Sequence, residues 1–418
     1  MRQMKNSGIE WVGDIPDNWE VTKTKYQFQY KKEIAGLQSD KYERLALTMK
    51  NVVKRSKEDN TGLQPEKFET YQILRQDELV FKLIDLQNVS TSRVGRSSYV
   101  GIVSPAYIIL RQHGKVLPCY AEKYFYVLWK NQVFNSLGDD GVRSNLGKDD
   151  LLNIPIPVPP LSEQKTIAGF LDKKCGAVDA LIADIQQEIK TLEQYKRSVI
   201  TEAVTKGLDP SVLMKDSGIQ WIGAMPANWE CVRGKYILKY LQKPVKKDDG
   251  VITCFRDGEV TLRSNRREDG FTMADKEIGY QGVDIGDLVV HGMDGFAGAI
   301  GISDSRGKAS PILNVLGTKQ NKRYIMYYLR SMAYSDVFMA LSTGIRVRSC
   351  DLRWNKLAEL WYPIPPLKEQ EEIVTYIDET IQKTNKIIFD KQTQIETLES
   401  YKKSLIYEYV TGKKEIIA

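Results

Sequence analysis

Side chains that could perform catalysis are few and poorly grouped in this chain. Its 418 residues include only two histidines, His113 and His291, and five scattered cysteines without a CxxC pair. Because a zinc site or a disulfide framework needs closely grouped ligands, neither is expected. A carboxylate–lysine pair occurs at Glu188 and Lys190, but it lies inside a helical pattern where such residues are ordinarily solvated. We therefore predict no catalytic residue and no metal site.

Loops that bind phosphate or a cofactor are also missing. No GxxxxGK[ST] segment occurs, and the glycines of residues 292–301 lack the spacing of a dinucleotide-binding loop. We expect no cofactor on this chain and no catalytic activity of its own. A stand-alone DNA-modifying enzyme with an unrecognised site stays open as an alternative.

Planar, multi-donor side chains suited to DNA are, in contrast, clustered. Arginine and lysine fit the acceptors of guanine, asparagine and glutamine fit adenine, and all four contact phosphates. The net charge is only +6, so a DNA-binding surface must concentrate its positive charge locally. The candidate DNA-binding residues are Lys50, Arg55, Lys57, Asn88, Arg93, Arg96, Arg143, Arg256, Arg263, Asn265, Arg266, Arg267, His291, Arg306, Arg346 and Arg348.

The elements that position these residues come from a tandem duplication. Residues 4–20 (MKNSGIEWVGDIPDNWE) recur as residues 214–230 (MKDSGIQWIGAMPANWE), with eleven of 17 positions identical. The segments PVPPLSEQ and YKRSVITEAV recur in the same order as PIPPLKEQ and YKKSLIYEYV. We expect Trp19 and Trp229, which each copy repeats, to anchor the start of its domain in the core.

Each copy divides into a globular part and a long helix. The globular parts have short β-rich runs broken by Gly, Asn and Asp, and they diverge in residues 40–100 and 250–300. A proline-rich joint precedes each helix and is expected to be a stiff, extended hinge. The predicted segments are a first domain at 1–155, a hinge and central helix at 156–212, a second domain at 213–361, and a hinge and C-terminal helix at 362–418.

Both helices carry an apolar stripe at heptad spacing, which predicts a coiled-coil seam. Lys196 interrupts the first stripe, and Thr384, Lys391 and Lys402 interrupt the second. The predicted seam residues are Leu171, Val178, Ile182, Ile185, Ile189, Leu192, Val199, Ile377, Ile381, Ile388, Ile395, Leu398 and Leu405. The matched lengths favour pairing of the two helices, either parallel or antiparallel, over burial of each stripe in its own domain.

No run of about 18 apolar residues and no secretory leader is seen, so a cytoplasmic location is expected. A coiled-coil scaffold that binds only protein is a second alternative. It differs from a DNA-binding protein in predicting no salt-dependent affinity for DNA.

The two unlike domains, each followed by a PPLxEQ joint and a long helix, resemble the DNA-specificity subunit of Type I restriction–modification systems. The residues that carry the resemblance are Pro159–Gln164 with Tyr195–Val204, Pro365–Gln370 with Tyr401–Val410, and the two SGIxWxGxxPxxW openings. The matching segments span almost the whole chain.

The resemblance implies an α+β fold, with two mixed α/β target-recognition domains separated by a long antiparallel two-helix coiled coil and related by a pseudo-two-fold axis. It further implies that each domain reads one half of an asymmetric, bipartite DNA site. The helices would set the spacer and dock methyltransferase subunits that bind S-adenosylmethionine. Restriction subunits that use ATP and Mg²⁺ would join the full complex.

Overall fold

A computed structural model describes residues 2–49, 51–59, 67–87, 92–138, 145–266, 277–341 and 351–416. The chain is α+β and forms two compact units. The first unit consists of Met1–Ile185 and Thr393–Ala418, and the second is Gln186–Gln392. Each unit takes in part of both long helices, so the units do not follow the four predicted segments one by one. That four-part division stays a prediction.

The first unit contains twelve described strands, three short helices and three 3-10 turns. The strands are Met4–Asn6, Asp14–Pro16, Glu20–Lys23, Phe28–Tyr30, Arg44–Leu47, Val52–Arg55, Gln72–Leu74, Leu79–Phe81, Val94–Arg96, Gly101–Val103, Ile108–Gln112 and Pro155–Val158. The short helices are Pro118–Lys130, Val133–Leu137 and Lys148–Asn153, and the 3-10 turns are Thr24–Tyr26, Gly36–Lys41 and Phe68–Thr70.

The described residues of the second unit also form twelve strands, with a different set of short helices and 3-10 turns. Its strands are Met214–Asp216, Ala224–Pro226, Glu230–Arg233, Leu238–Tyr240, Ile252–Cys254, Val260–Leu262, Gln281–Val283, Leu288–His291, Ile300–Ile302, Gly307–Ala309, Leu313–Thr318 and Trp361–Ile364. Its short helices are Gly234–Ile237, Lys322–Tyr334, Val337–Ala340 and Trp354–Leu357, and its 3-10 turns are Arg263–Asn265 and Gly295–Ala297.

One antiparallel four-stranded sheet has the same strand order in both units. In the first unit the order is Phe28–Tyr30, Ile108–Gln112, Leu79–Phe81 and Val94–Arg96. In the second unit it is Leu238–Tyr240, Leu313–Thr318, Leu288–His291 and Ile300–Ile302. The buried faces of these strands pack on the 13-residue helix of each unit, where Tyr124 and Tyr324 are fully buried.

The regions that diverge in sequence share one parallel contact between strands. In the first unit, Ile102 pairs in parallel with Arg44 across a second four-stranded sheet. In the second unit, Lys308 makes the corresponding parallel bridge to Val251. Gly101 and Gly307 permit both crossings, because a Cβ atom there would press on the backbone oxygen of Glu43 or Gly250. The antiparallel four-stranded sheet is therefore common to both units, whereas the diverging region forms a second four-stranded sheet in the first unit and two two-stranded sheets in the second.

The proline-rich joints are extended, as expected, but they are not free hinges. Pro155–Val158 pairs antiparallel with Glu20–Lys23, and Trp361–Ile364 pairs antiparallel with Glu230–Arg233. Proline is compatible with such two-stranded edges because an edge position does not need every backbone N–H. Each joint is thus a strand held against the start of its own domain.

The two long helices are Leu161–Lys206 and Leu367–Val410, called here the first and second long helix. All thirteen predicted seam residues are buried or half-buried. Within the first unit, Phe170 packs on Tyr409 with ring centroids 4.7 Å apart, and Lys402 bonds to Asp179. Within the second unit, Lys196 donates to Asn385 and Lys391 to Glu188. In both units the paired helix segments therefore run antiparallel.

Among the residues that the structure describes, no helix has an apolar stretch sufficient to span a lipid bilayer.

Candidate nucleic-acid interface

The repeated tryptophan of each copy is held by the glutamate of the PPLxEQ motif. The Trp19 indole is fully buried, and its Nε1 donates to Glu163 Oε2 at 3.0 Å. In the second unit, Trp229 Nε1 donates to Glu369 Oε1 at 2.9 Å. These contacts confirm that both tryptophans anchor their domains. They also explain the spacing of the repeats, because the two ends of each globular part meet here.

The neighbouring glutamine of the motif closes the same junction. Gln164 is buried, and it accepts from the backbone N–H of Leu117 at 2.8 Å while donating to the carbonyl of Pro159 at 2.9 Å. Gln370 makes the equivalent bonds with Asn321 and Pro365. Each glutamine thereby fixes the start of a long helix against the helix that supports the sheet.

Four of the candidate DNA-binding residues meet in one cleft of the second unit. The cleft has a volume of about 660 Å³. Its lining includes the candidates Arg256, Arg263, Arg266 and His291, together with Phe255, Asp257, Asp294 and Leu313. Three guanidinium groups so close together repel one another unless anions compensate them.

Internal carboxylates compensate part of this charge. Arg256 donates to Asp294 at 2.9 Å, yet two thirds of its side chain remains exposed. The Arg266 guanidinium lies over the Phe255 ring at 4.1 Å and pairs with Asp257 and Glu259. Such stacking fixes the direction of a guanidinium without consuming all of its five donors.

Arg263 and Asn265 lie on the 3-10 turn that follows the strand Val260–Leu262. The Arg263 backbone N–H donates to Val251, and its Nε lies 3.4 Å from Thr253 Oγ1. Asn265 donates to Thr261 Oγ1 at 2.9 Å. Both candidates therefore lie on one short turn, of which Arg263 lines the cleft.

His291 ends the strand Leu288–His291 and has one nitrogen committed to the backbone. Its Nδ1 accepts from the backbone N–H groups of Met293 and Asp294, at 3.2 and 3.0 Å. The ring proton consequently resides on Nε2, which makes that nitrogen a donor. Burial lowers the pKa of His291, with the opposing charge of Asp294 too weak to reverse the shift, so the ring is neutral near pH 7.

Arg306 has a different environment from the one predicted. Its guanidinium bonds to Asp249, Asp284 and the carbonyl of Pro244. The hydrogen bond with Asp249, followed by that with Asp284, raises the pKa of Arg306 further. Because its donors are used inside the unit, Arg306 stabilises the fold there, and this environment does not support the predicted contact with DNA.

In the first unit, the described candidates are largely engaged with neighbours. Arg55 pairs with Asp59 at 2.7 Å, and Lys57 donates to the carbonyl of Ser39 at 2.9 Å. Arg96 pairs with Asp77 and lies near Glu122. All three side chains remain about a quarter exposed, so they can still reach a ligand.

The prediction that Arg93 contacts DNA is wrong. Its exposure is 0%, and its guanidinium donates to the backbone carbonyls of Ile84 and Asp85. Burial lowers its pKa. A side chain enclosed in this way supports a loop and cannot contact DNA, although its residue type alone favoured an exposed position.

The remaining candidates lie outside the described residues. They are Lys50, Asn88, Arg143, Arg267, Arg346 and Arg348.

Sequence reasoning missed Lys82, which occupies in the first unit the place of His291 in the second. Lys82 follows the strand Leu79–Phe81, and its backbone N–H donates to Arg93, as that of His291 donates to Ala299. Burial lowers the pKa of Lys82, and the positive charge of Arg93 adds to the effect. Aligning the strands around the repeats would have revealed the pair, but the local sequences FKLID and VHGMD share little.

Two equivalent α+β units, each combining the same antiparallel sheet with segments of two long helices, define the class of duplicated, helix-linked α+β proteins. Residues 17–191 match the family model described as the Type I restriction modification DNA specificity domain. The chain is 23% identical to a putative type I restriction enzyme MjaX specificity subunit of Methanocaldococcus jannaschii, over 96% of this chain and 95% of that protein.

A second relative is the type I restriction enzyme StySPI specificity subunit of Salmonella potsdam, with 23% identity over 88% of this chain and 83% of that protein. A chain from a solved structure, described as the structural basis underlying complex assembly and conformational transition of the type I R-M system, shares the fold. Its TM-score is 0.66 at 15% identity, over 96% of this chain and 99% of that chain. Residues 17–191 thus resemble the Type I restriction modification DNA specificity domain, and the chain as a whole is similar to specificity subunits of type I restriction enzymes.

Proposed function

We propose that each unit reads one half of an asymmetric, bipartite DNA site for a Type I restriction–modification complex. The observation that carries this proposal is the antiparallel four-stranded sheet that both units share, with different side chains at equivalent positions. The same strand order recurs in both units, whereas equivalent positions hold Lys82 in one and His291 in the other. Two copies of one scaffold with unlike side chains suit the recognition of two unlike sequences.

The second-unit cleft is the better-described reading surface. Arg256, Arg263, Arg266 and His291 line it, and together they offer the donors that guanine, adenine and phosphate accept. Phosphate contacts give affinity that falls with salt, whereas contacts with base edges distinguish sequences. In the first unit, Arg55, Lys57 and Arg96 are the corresponding candidates.

The long helices are proposed to set the spacer between the half-sites and to dock methyltransferase subunits. A helix of 46 residues is about 69 Å long at 1.5 Å per residue, which exceeds what one small domain needs for support. Methylation then uses S-adenosylmethionine bound to the partner, and cleavage uses ATP and Mg²⁺ on restriction subunits. This chain contributes recognition and no catalytic residue.

A domain exchange tests the proposal. Residues 20–150 are replaced by the equivalent segment of another family member, the full methyltransferase complex is assembled, and its methylated sites are mapped on random DNA. We expect only one half of the recognised site to change. An unchanged site, or a change in both halves, would contradict separate reading by the two units.

The alternatives predict different results from the same proteins. A stand-alone enzyme would turn over when the purified chain alone receives DNA, S-adenosylmethionine and Mg²⁺. A protein-only scaffold would leave the salt dependence of DNA binding by the methyltransferase unchanged when the chain is added. We expect no turnover by the chain alone, and sequence-specific, salt-sensitive binding by the complex.

A further inference from the structure

In both units, a side chain with an N–H donor lies at the end of one strand of the shared four-stranded sheet. The pairing registers of that strand show that the two positions correspond. Phe81 pairs with Val94 and Ile108 in the first unit. Val290 pairs with Ile300 and Asn314 in the second. The next residue is Lys82 in the first unit and His291 in the second. An aspartate follows three residues later in each unit, Asp85 and Asp294.

The surroundings of the two donors also correspond. His291 pairs with Leu313, which lines the cleft beside Arg263. In the first unit, Tyr107 takes the place of Leu313, because Ile108 pairs with Phe81 as Asn314 pairs with Val290. Arg55 takes the place of Arg263, because Arg55 pairs with Arg44 as Arg263 bonds to Val251. Burial raises the pKa of Tyr107, while the positive charges of Arg44 and Arg55 oppose that rise. The first unit therefore gathers cationic side chains where the second unit has its cleft.

The geometry of His291 leaves one nitrogen for a ligand. Nδ1 accepts hydrogen bonds from two backbone N–H groups, so it carries no proton and cannot donate to a ligand. Nε2–H has no hydrogen-bond acceptor among the residues that the structure describes, although His291 lines an open cleft. A half-buried donor held by its own backbone is suited to a ligand acceptor at a fixed position.

We propose that this strand end is a specificity-determining position, at which His291 in the second unit and Lys82 in the first donate a hydrogen bond to an acceptor on a base of the half-site. The proposal rests on the proposed function. In the major groove guanine offers N7 and O6, adenine N7 and thymine O4, whereas cytosine presents a donor. His291 thus excludes cytosine at one position of its half-site, and the Lys82 ammonium favours guanine.

The variant His291→Asn removes the proposed contact with a base and keeps the hydrogen bonds that support the turn. In His291→Asn, the amide oxygen can still accept backbone N–H groups two and three residues on, as in an Asx turn. The shorter side chain no longer carries an N–H to the place of Nε2. Lys82→Met is the corresponding change in the first unit, because it keeps the length of the stem and removes the ammonium. Lys239→Ala, an exposed charge on the strand Leu238–Tyr240 of the second unit, is the matched control.

The readout is the set of sites methylated on random DNA by the complex of each full-length variant with its methyltransferase subunits. We expect His291→Asn to lose discrimination roughly tenfold to a hundredfold at one position of one half-site. We expect Lys82→Met to do so at one position of the other half-site. Lys239→Ala should leave the recognised sequence unchanged.

Other outcomes overturn the inference. Unchanged sequence discrimination by both variants would refute it, and so would a uniform loss of methylation across all sequences, which indicates a phosphate contact. If His291→Asn does not assemble, Lys82→Met decides alone by the same criterion. Failure of the proposed function looks different, because the wild-type complex would then show no bipartite site.

Discussion

Lys402 Nζ lies 2.6 and 2.7 Å from the two carboxylate oxygens of Asp179, which belongs to the facing long helix in the same unit. Lys402 is 18% exposed and Asp179 is 56% exposed. The lysine interrupts the apolar stripe of the second long helix, and a polar residue in a seam specifies register at some cost in stability. In the second unit, Lys391 and Glu188 make the same kind of cross-helix pair.

Removal of the Asp179 carboxylate should cost more stability than replacement of Lys402 by an apolar side chain. We expect Asp179→Ala to lower the free energy of unfolding by about 1 kcal/mol, because the mostly buried Lys402 ammonium loses its partner. Lys402→Leu completes the stripe and is expected to leave stability unchanged or to raise it. Urea unfolding of both single variants and the double variant gives the coupling. Wild-type stability of Asp179→Ala would show that the pair contributes nothing.

Shortening both long helices together tests whether they set the spacer, which is part of the proposed function. Residues 178–184 and 396–402 face each other and include both members of the Asp179–Lys402 pair. Deletion of both heptads removes about 10.5 Å of helix, so the preferred spacer of the methylated sites should shorten by about three base pairs.

Deletion of residues 178–184 alone is the control for that experiment. It shifts the facing stripes out of register, and we expect the complex not to assemble. An unaltered spacer after the paired deletion would argue against helices that measure distance along DNA.

The glycine after the second long helix should not tolerate a side chain. Gly412 has a φ of +70°, and a Cβ atom there would press on the Pro16 ring and on Trp19. We expect Gly412→Ala to destabilise the protein by about 1 kcal/mol or more. Gly169→Ala is the control, because Gly169 lies in the first long helix with nothing within 4 Å of its Cβ direction.

Gly169→Ala should raise stability by about 0.5–1 kcal/mol through helix propensity. Thermal unfolding of both variants measures the contrast. Equal effects of the two substitutions would mean that Gly412 does not pack as described.

The carboxylates around Arg306 should make stability depend on pH. Lys243, followed by Arg306, lowers the pKa of Asp284 to about 2, and Arg306 lowers that of Asp249. Groups with a depressed pKa in the folded state stabilise it above their unfolded pKa, near 4, and this stability is lost as the pH falls. We therefore expect the free energy of unfolding to decrease from pH 5 to pH 3.

Arg306→Met should be less stable at pH 7 and should show a shallower decrease between pH 5 and pH 3. Urea unfolding at several pH values is the measurement, and Lys247→Met, an exposed lysine of the same unit, is the control. The same slope in wild type and Arg306→Met would show that Arg306 does not set these pKa values.

The sequence predicted features that repeat or follow a period, and it missed those that depend on distant contacts. The heptad stripe and the buried Trp19 and Trp229 follow from spacing and duplication. The roles of Glu163 and Gln164 do not, because their partners Trp19 and Leu117 lie 144 and 47 residues away. Whether an arginine is buried, as Arg93 is, or satisfied internally, as Arg306 is, depends on strands that only the tertiary fold brings together.

The first unit is built from two segments at opposite ends of the chain, which determines when it can fold during synthesis. Residues 186–392 form the second unit as one continuous stretch, whereas the first unit combines Met1–Ile185 with Thr393–Ala418. On the ribosome, the second unit has all of its residues while the first still lacks the segment whose Val410 carbonyl accepts the Tyr120 hydroxyl. The domain synthesised first is therefore completed last, and until then its nascent apolar surface depends on protection from aggregation.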